Sequence, residues 1–268
     1  MKKIIITLLF ALALTACNNK TEKVENKTHD HEAMMKQLGK PKHDIKTVGI
    51  LLYDGFTTLD AMGPFQVLSE MMGTKVFFVA KQKGIIKNMN GVGIQVERDF
   101  TDTDSLDILV IPGGFKETLL ATKDTATLNW ITKIDKTTQF TTSVCTGAWI
   151  LGSTGLLKGK NATTHWYRAE EMMKMYGANF QQKRWVRDGK YWTSAGVTAG
   201  MDMCLGIVQE VRGDNYLKLA MLDLEYDPQP PIEAGSVTNT DKESIKMMKE
   251  MYDIGLLPLL DSLTKGQK

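Results

Sequence analysis

From Lys46 onward, short apolar runs alternate with amphipathic ones, the pattern of strands interleaved with helices. Lys46–Tyr53 (KTVGILLY) reads as a first strand. The turn Asp54-Gly55-Phe56 follows, and Leu59–Met72 has a helical pattern in which Pro64 is expected near the helix start. Lys75–Lys81 reads as a second strand, and Gly91–Glu97 as a short β segment reached through an Asn90-Gly91 turn. Asp107–Pro112 (DILVIP) is a continuous apolar run, as in a fully buried parallel strand, and it stops at Gly113-Gly114. Asp124–Asp135 is helical, Gln139–Val144 is β-type, Asn161–Trp166 is a further β segment, and Arg168–Tyr176 is helical. Gln181–Val186 and Tyr191–Ser194 flank Arg187-Asp188-Gly189-Lys190 as a hairpin.

The remaining chain is helical. Val197, Met201, Cys204, Leu205, Val208 and Val211 recur on one helix face, which places Cys204 in the core. Beyond Gly213 come a helix to about Asp223, a proline-rich turn over Asp227-Pro228-Gln229-Pro230-Pro231, and a last helix over Asp241–Leu263. The order of elements predicts an α/β fold: a doubly wound, mainly parallel sheet with helices on both faces and a C-terminal helical arm. There is no internal repeat. Gly91-Val92-Gly93 lacks the third glycine and the following helix of a dinucleotide fingerprint.

Before the first strand the pattern changes twice. MKKIIITLLFALALTAC joins two lysines to an apolar run too short for a permanent span and ends on Leu14-Thr15-Ala16-Cys17, so residues 1–16 read as a secretory signal peptide. Its end resembles the bacterial lipobox, which makes Cys17 the expected site of lipidation and the mature N-terminus. Residues 17–44 then offer almost nothing to bury and are expected to form a solvated tether. The cluster His29-Asp30-His31-Glu32 reads as a solvated charge run or a weak transition-metal site. The chain is therefore expected in the cell envelope, lipid-anchored, with a catalytic domain over 45–212 and a helical extension over 213–268 facing away from the cytoplasm.

Charge adds one exclusion. Lysine and arginine number 33 against 31 acidic residues, and the clustered lysines lie in the leader and tether, so no nucleic-acid footprint is present. The apolar content of 43% is enough for one substantial core.

The chemistry gathers after Gln139–Val144. Cys145 follows that strand at once, and Thr146-Gly147-Ala148 opens a helix, so the segment reads as a nucleophile elbow. Helix amides directed at the sulfur would favour the thiolate. A small hydrophobe packed in the core is the other reading of Cys145. Gly113-Gly114 ends a neighbouring strand, either as a tight turn or as a loop whose amide, with that of Thr146, forms an oxyanion hole. Asp60 and His165 are the alternative acid/base groups, each near the end of a strand whose carboxyl edge opens on the same crevice.

These segments together resemble a family. Leu52–Asp60 with Gly63-Pro64, Ile111–Gly114, Ser143–Ala148, Ala162–Trp166, Trp192–Asp202 and Glu225–Pro231 are similar to the DJ-1/PfpI superfamily, and more narrowly to its isonitrile hydratase branch. The resemblance implies a flavodoxin-like fold, a homodimer, a small-molecule substrate, and neither metal nor organic cofactor. It implies a nucleophile at Cys145, an acid/base carboxylate at Asp60 and a supporting hydroxyl at Thr146. Protease-like cousins carry histidine after the cysteine, where this chain has Thr146, and class I amidotransferases need a later His-x-Glu pair that is missing here. The expected activity is hydration of an isonitrile. The rival readings are a glyoxalase- or deglycase-like enzyme on reactive carbonyls, and a non-catalytic envelope protein that binds a ligand or senses oxidants. The leader departs from the branch, whose typical members are cytoplasmic.

Overall fold

Side-chain alternation along the first strand sets up the layers. β1 (Thr47–Leu52) directs Val48, Ile50 and Leu52 into one apolar cluster and Leu51 into another, because successive residues of a strand face opposite sides of a sheet. The computed structural model describes residues 38–265, with side chains described to residue 262. The leader, Cys17, His29 and His31 lie outside the described residues. Among those described, no helix is long and apolar enough to cross a membrane.

After β1 come α1 (Thr58–Ser69), β2 (Lys75–Ala80), a hairpin of β3 (Gly84–Lys87) and β4 (Gly93–Val96), and β5 (Arg98–Asp99). Next are β6 (Ile108–Ile111), α2 (Lys116–Ala121), α3 (Thr125–Asp135), β7 (Phe140–Val144) and α4 (Gly147–Ser153). The chain continues through β8 (Asn161–Ala162), α5 (Ala169–Met175), β9 (Asn179–Phe180), β10 (Trp185–Asp188) and β11 (Tyr191–Ser194). It closes with α6 (Val197–Arg212), α7 (Asp214–Asp223) and α8 (Lys242–Lys265).

The central sheet has the order β10-β11-β7-β6-β1-β2-β5 and is parallel except at the β10–β11 edge. The order turns back between β1 and β6, a switch point where the two connecting segments leave on opposite faces and open a crevice. One core cluster joins Ile108 and Val110 of β6 to Val67 and Leu68 of α1 and Met203, Ile207 and Val208 of α6. The other joins Leu109 and Ile111 of the same strand to Ile131 of α3, Trp149 and Ile150 of α4, and Leu256 of α8. The doubly wound α/β class expected from the pattern is the fold observed.

Several details differ from the pattern. Pro64 lies in the interior of α1, not near its start. It has no N–H for the Asp60 carbonyl one turn earlier, so the helix is unsupported there by backbone. The β segment expected over Asn161–Trp166 ends at Ala162 and pairs with β9 outside the main sheet; the Thr163 amide donates to Thr193 Oγ1 at 2.8 Å instead of to a strand carbonyl. The first arm of the late hairpin begins at Trp185 rather than Gln181. Residues 38–44, expected within the tether, are docked: Leu38 packs on the core, Lys42 N donates to Val211 O at 2.8 Å, and the His43 ring meets Phe140 edge-on at 5.1 Å. The small helix α2 and strand β3 have no counterpart in the sequence reading.

Candidate active site

The switch-point crevice receives the ends of β1, β6 and β7, and each strand delivers one of the expected groups. β7 ends at Val144, and Cys145 then takes φ = 60°, the left-handed region that non-glycine residues enter at a cost of about 1–3 kcal/mol. Hydrogen bonds on both sides hold it there. Cys145 N donates to Ser194 O at 3.0 Å, and the Thr164 hydroxyl donates to Cys145 O at 2.9 Å. The elbow read from the sequence is therefore present in the backbone. Its cysteine is only 5% exposed.

Asp60 stands in the first turn of α1 and is fully buried. Its Oδ2 accepts the Gly113 amide at 3.0 Å, while Oδ1 is enclosed without a hydrogen-bond partner in the structure. Desolvation dominates and pushes the carboxyl up from 3.8 to about 7, against the lowering effects of the Gly113 amide and the Cys145 thiol. The same burial, reinforced by the Asp60 charge, pushes the Cys145 thiol well above its ordinary value. This corrects the expectation of a thiolate. The Thr146 amide does lower the thiol's pKa, but α4 is only seven residues long and its end cannot offset the loss of water.

The Gly113-Gly114 pair is a clamp. Gly113 N–H is committed to Asp60, and Gly114 N–H donates to Thr146 Oγ1 at 3.0 Å, so neither amide is vacant as the oxyanion-hole reading requires. A side chain at Gly113 would sit 2.5 Å from Thr146 Oγ1 and 2.9 Å from Asp60 Oδ2, so glycine there lets the β6 loop touch both. Thr146 returns a bond to Gly114 O at 2.9 Å and meets Thr118 Oγ1 at 3.2 Å; Thr118 in turn meets Tyr53 Oη at 2.8 Å. The Thr146 hydroxyl thus ties the β6 loop to the elbow.

His165 lies beyond the short β8, on an irregular segment. Burial pushes it down to about 4, so the ring is neutral and has no proton-accepting strength near pH 7 that would let it replace Asp60. Its Nδ1 accepts the Tyr167 amide at 3.4 Å, and its face stacks on Tyr252 of α8, with ring centroids 5.2 Å apart at 25°. Two neighbours went unassigned in the sequence. Tyr53 stood inside a recognised segment, but Thr118 and Tyr252 reach the site only through tertiary packing. No local signal marks them.

A doubly wound α/β domain with a buried cysteine in a left-handed strand-to-helix turn, paired with a buried carboxyl from the first helix, defines the class. The chain belongs to the DJ-1/PfpI family, whose model matches residues 46–210. It is 37% identical over 189 residues to the isonitrile hydratase of Pseudomonas putida, covering 70% of this chain and 82% of that one. A deglycase of Thermococcus kodakarensis is 32% identical over 149 residues, covering 54% of this chain and 87% of the deglycase. Among solved structures, a THiJ/PfpI family protein from Pseudomonas syringae superposes with a TM-score of 0.76 at 36% identity, covering 79% of this chain and 88% of that one. Drosophila melanogaster DJ-1beta shares the fold, with a TM-score of 0.59 at 20% identity over 68% of this chain and 98% of its own. Residues 1–18 match the prokaryotic membrane lipoprotein lipid attachment site.

Proposed function

We propose that the protein is a cysteine-dependent hydratase that converts an isonitrile R–N≡C to the N-substituted formamide. The observation that carries this reading is the buried Cys145–Asp60 pair. A carboxyl whose pKa is about 7 can take the thiol proton at neutral pH and return it within one catalytic cycle. Sulfur attacks the terminal carbon as that carbon receives the proton, giving the thioimidate R–N=CH–S–Cys145. Asp60 then deprotonates water as it adds to the same carbon and passes that proton to nitrogen, giving R–NH–CH(OH)–S–Cys145. Collapse breaks the C–S bond, returns a proton to sulfur and releases R–NH–CHO. Thr146 positions the elbow and the β6 loop, and the Thr146 amide is the backbone donor at the sulfur.

The similarity to the Pseudomonas putida hydratase supports the substrate class, and the similarity to deglycases supports a second reading in which the same thiol adds to a reactive carbonyl. Incubation of the purified chain with cyclohexyl isonitrile, and separately with methylglyoxal, tests both by product analysis. Formamide formation that is lost in Cys145→Ala is expected; methylglyoxal consumption without formamide would replace the first reading by the second.

Place follows from the leader. Lipidation at Cys17 would anchor the protein to a membrane of the cell envelope, with the domain outside the cytoplasm. A homodimer is part of the proposal, and light scattering of the delipidated chain tests it.

A further inference from the structure

Two loops that hold the elbow each carry an aromatic residue immediately after the residue that makes the bond. Gly114, bonded to Thr146, is followed by Phe115; Thr164, bonded to Cys145 O, is followed by His165 and Trp166. These rings converge on one residue of the C-terminal helix. Tyr252 meets Phe115 edge-on at 5.4 Å, stacks on His165 at 5.2 Å and lies 5.6 Å from Trp166. It is therefore held between the two loops that bond the elbow. Burial and then the charges of Cys145 and Asp60 push its hydroxyl pKa up, consistent with that place.

The helix is anchored so that Tyr252 stays there. The Tyr167 hydroxyl donates to Asp253 at 2.8 Å, Leu256 and Leu260 are buried in the second core cluster, and the Phe115 ring fills the space a side chain at Gly255 would need. The thiol is 5% exposed, and these half-buried rings directly follow the residues bonded to the elbow, so they border the way to it. The rings touch one another, with centroids 5.2–5.6 Å apart, and together form one aromatic surface on which a flat π-bearing group stacks better than a branched saturated one.

We propose that Tyr252 of α8 is the specificity-determining residue of the site, forming with Phe115, His165 and Trp166 an aromatic wall that selects substrates with a flat, π-bearing N-substituent. The inference rests on the hydratase reading for its substrate, but the wall itself is tested without it. Full-length lipoprotein in detergent is compared with Tyr252→Ala, Tyr252→Leu and Tyr252→Phe on benzyl and tert-butyl isonitrile. Wild type and Tyr252→Phe should prefer the benzyl compound. In Tyr252→Ala and Tyr252→Leu its KM should rise roughly 2- to 10-fold with kcat nearly constant, the size of one lost aromatic pair. Leucine fills the space and guards against collapse of the helix. In parallel, Cys145 alkylation by N-benzyl and N-tert-butyl iodoacetamide is followed by intact mass, which requires no hydration. Benzyl preference in wild type that disappears in the alanine and leucine variants supports the wall even if no isonitrile is turned over, in which case the hydratase reading alone fails. An alkylation preference equal in wild type and Tyr252→Ala, or none in wild type, overturns the wall.

Discussion

Replacing Asp60 by asparagine should stabilise the protein at alkaline pH while removing its activity. The carboxyl's folded-state pKa of about 7 lies above its ordinary 3.8, so between those values the folded state holds a proton that the unfolded state has lost. Stability therefore falls as pH rises through that window, and above about 7 the full cost of a buried charge remains. Each pKa unit corresponds to 1.36 kcal/mol. Evaluated between pH 5, where much of the unfolded-state ionisation has already occurred, and pH 8, the linked loss is about 2.5 kcal/mol. Asparagine keeps an oxygen for the Gly113 amide and carries no charge. Urea unfolding of both proteins at pH 5 and pH 8, with thiols reduced, should show Asp60→Asn gaining about 2–3 kcal/mol on wild type between the two conditions. A difference that does not change with pH, or a wild type that gains on the variant at pH 8, would refute the assignment of Asp60 as a buried carboxyl with a raised pKa.

Other outcomes follow from particular contacts. Gly147→Ala would drive a methyl group into the carbonyls of Ile111 and Pro112 and should cost about 1–3 kcal/mol in urea unfolding, displacing the elbow and lowering turnover. Thr146→Val leaves the Gly114 amide without its partner and the Thr118 hydroxyl with Tyr53 alone, and should cost about 1–3 kcal/mol, whereas Thr146→Ser should restore most of it; thermal melts of the pair measure this. A small alkylating agent should modify Cys145 before Cys204, which is wholly buried, and the rate should rise steeply above pH 8 because the thiol is held above its ordinary pKa. Peptide mapping after timed quenching reads the order, and equal labelling in the native protein contradicts it.

The sheet was legible because β1 and β6 are short apolar runs and β7 (FTTSV) is rich in β-branched residues, patterns that survive without tertiary information. Cys145 and Asp60 were legible for a related reason. Cys145 directly follows β7 and Asp60 opens the helix after β1, so each is delivered to the carboxyl edge of the sheet by its place in sequence. The protonation state was not legible, since it depends on how completely the surrounding helices exclude water. His165 shows the same limit: its strand is shorter than the pattern predicts because the Thr163 amide bonds the Thr193 side chain, which a pattern of apolar residues does not record. The role of Gly113 and Gly114 depended on what their amides meet, and those partners, Asp60 and Thr146, are distant in the chain. Tyr252 reads as an ordinary position of an amphipathic helix until the docking of α8 brings it to the site.

The central claim is covalent catalysis at Cys145, and rapid-quench mass spectrometry during turnover of an isonitrile tests it most directly. The account predicts a transient adduct equal in mass to the whole isonitrile, mapped to the peptide containing Cys145, that forms and decays at rates consistent with formamide release and is absent in Cys145→Ala. Formamide production by Cys145→Ala, or by wild type with no adduct on that peptide, would contradict it.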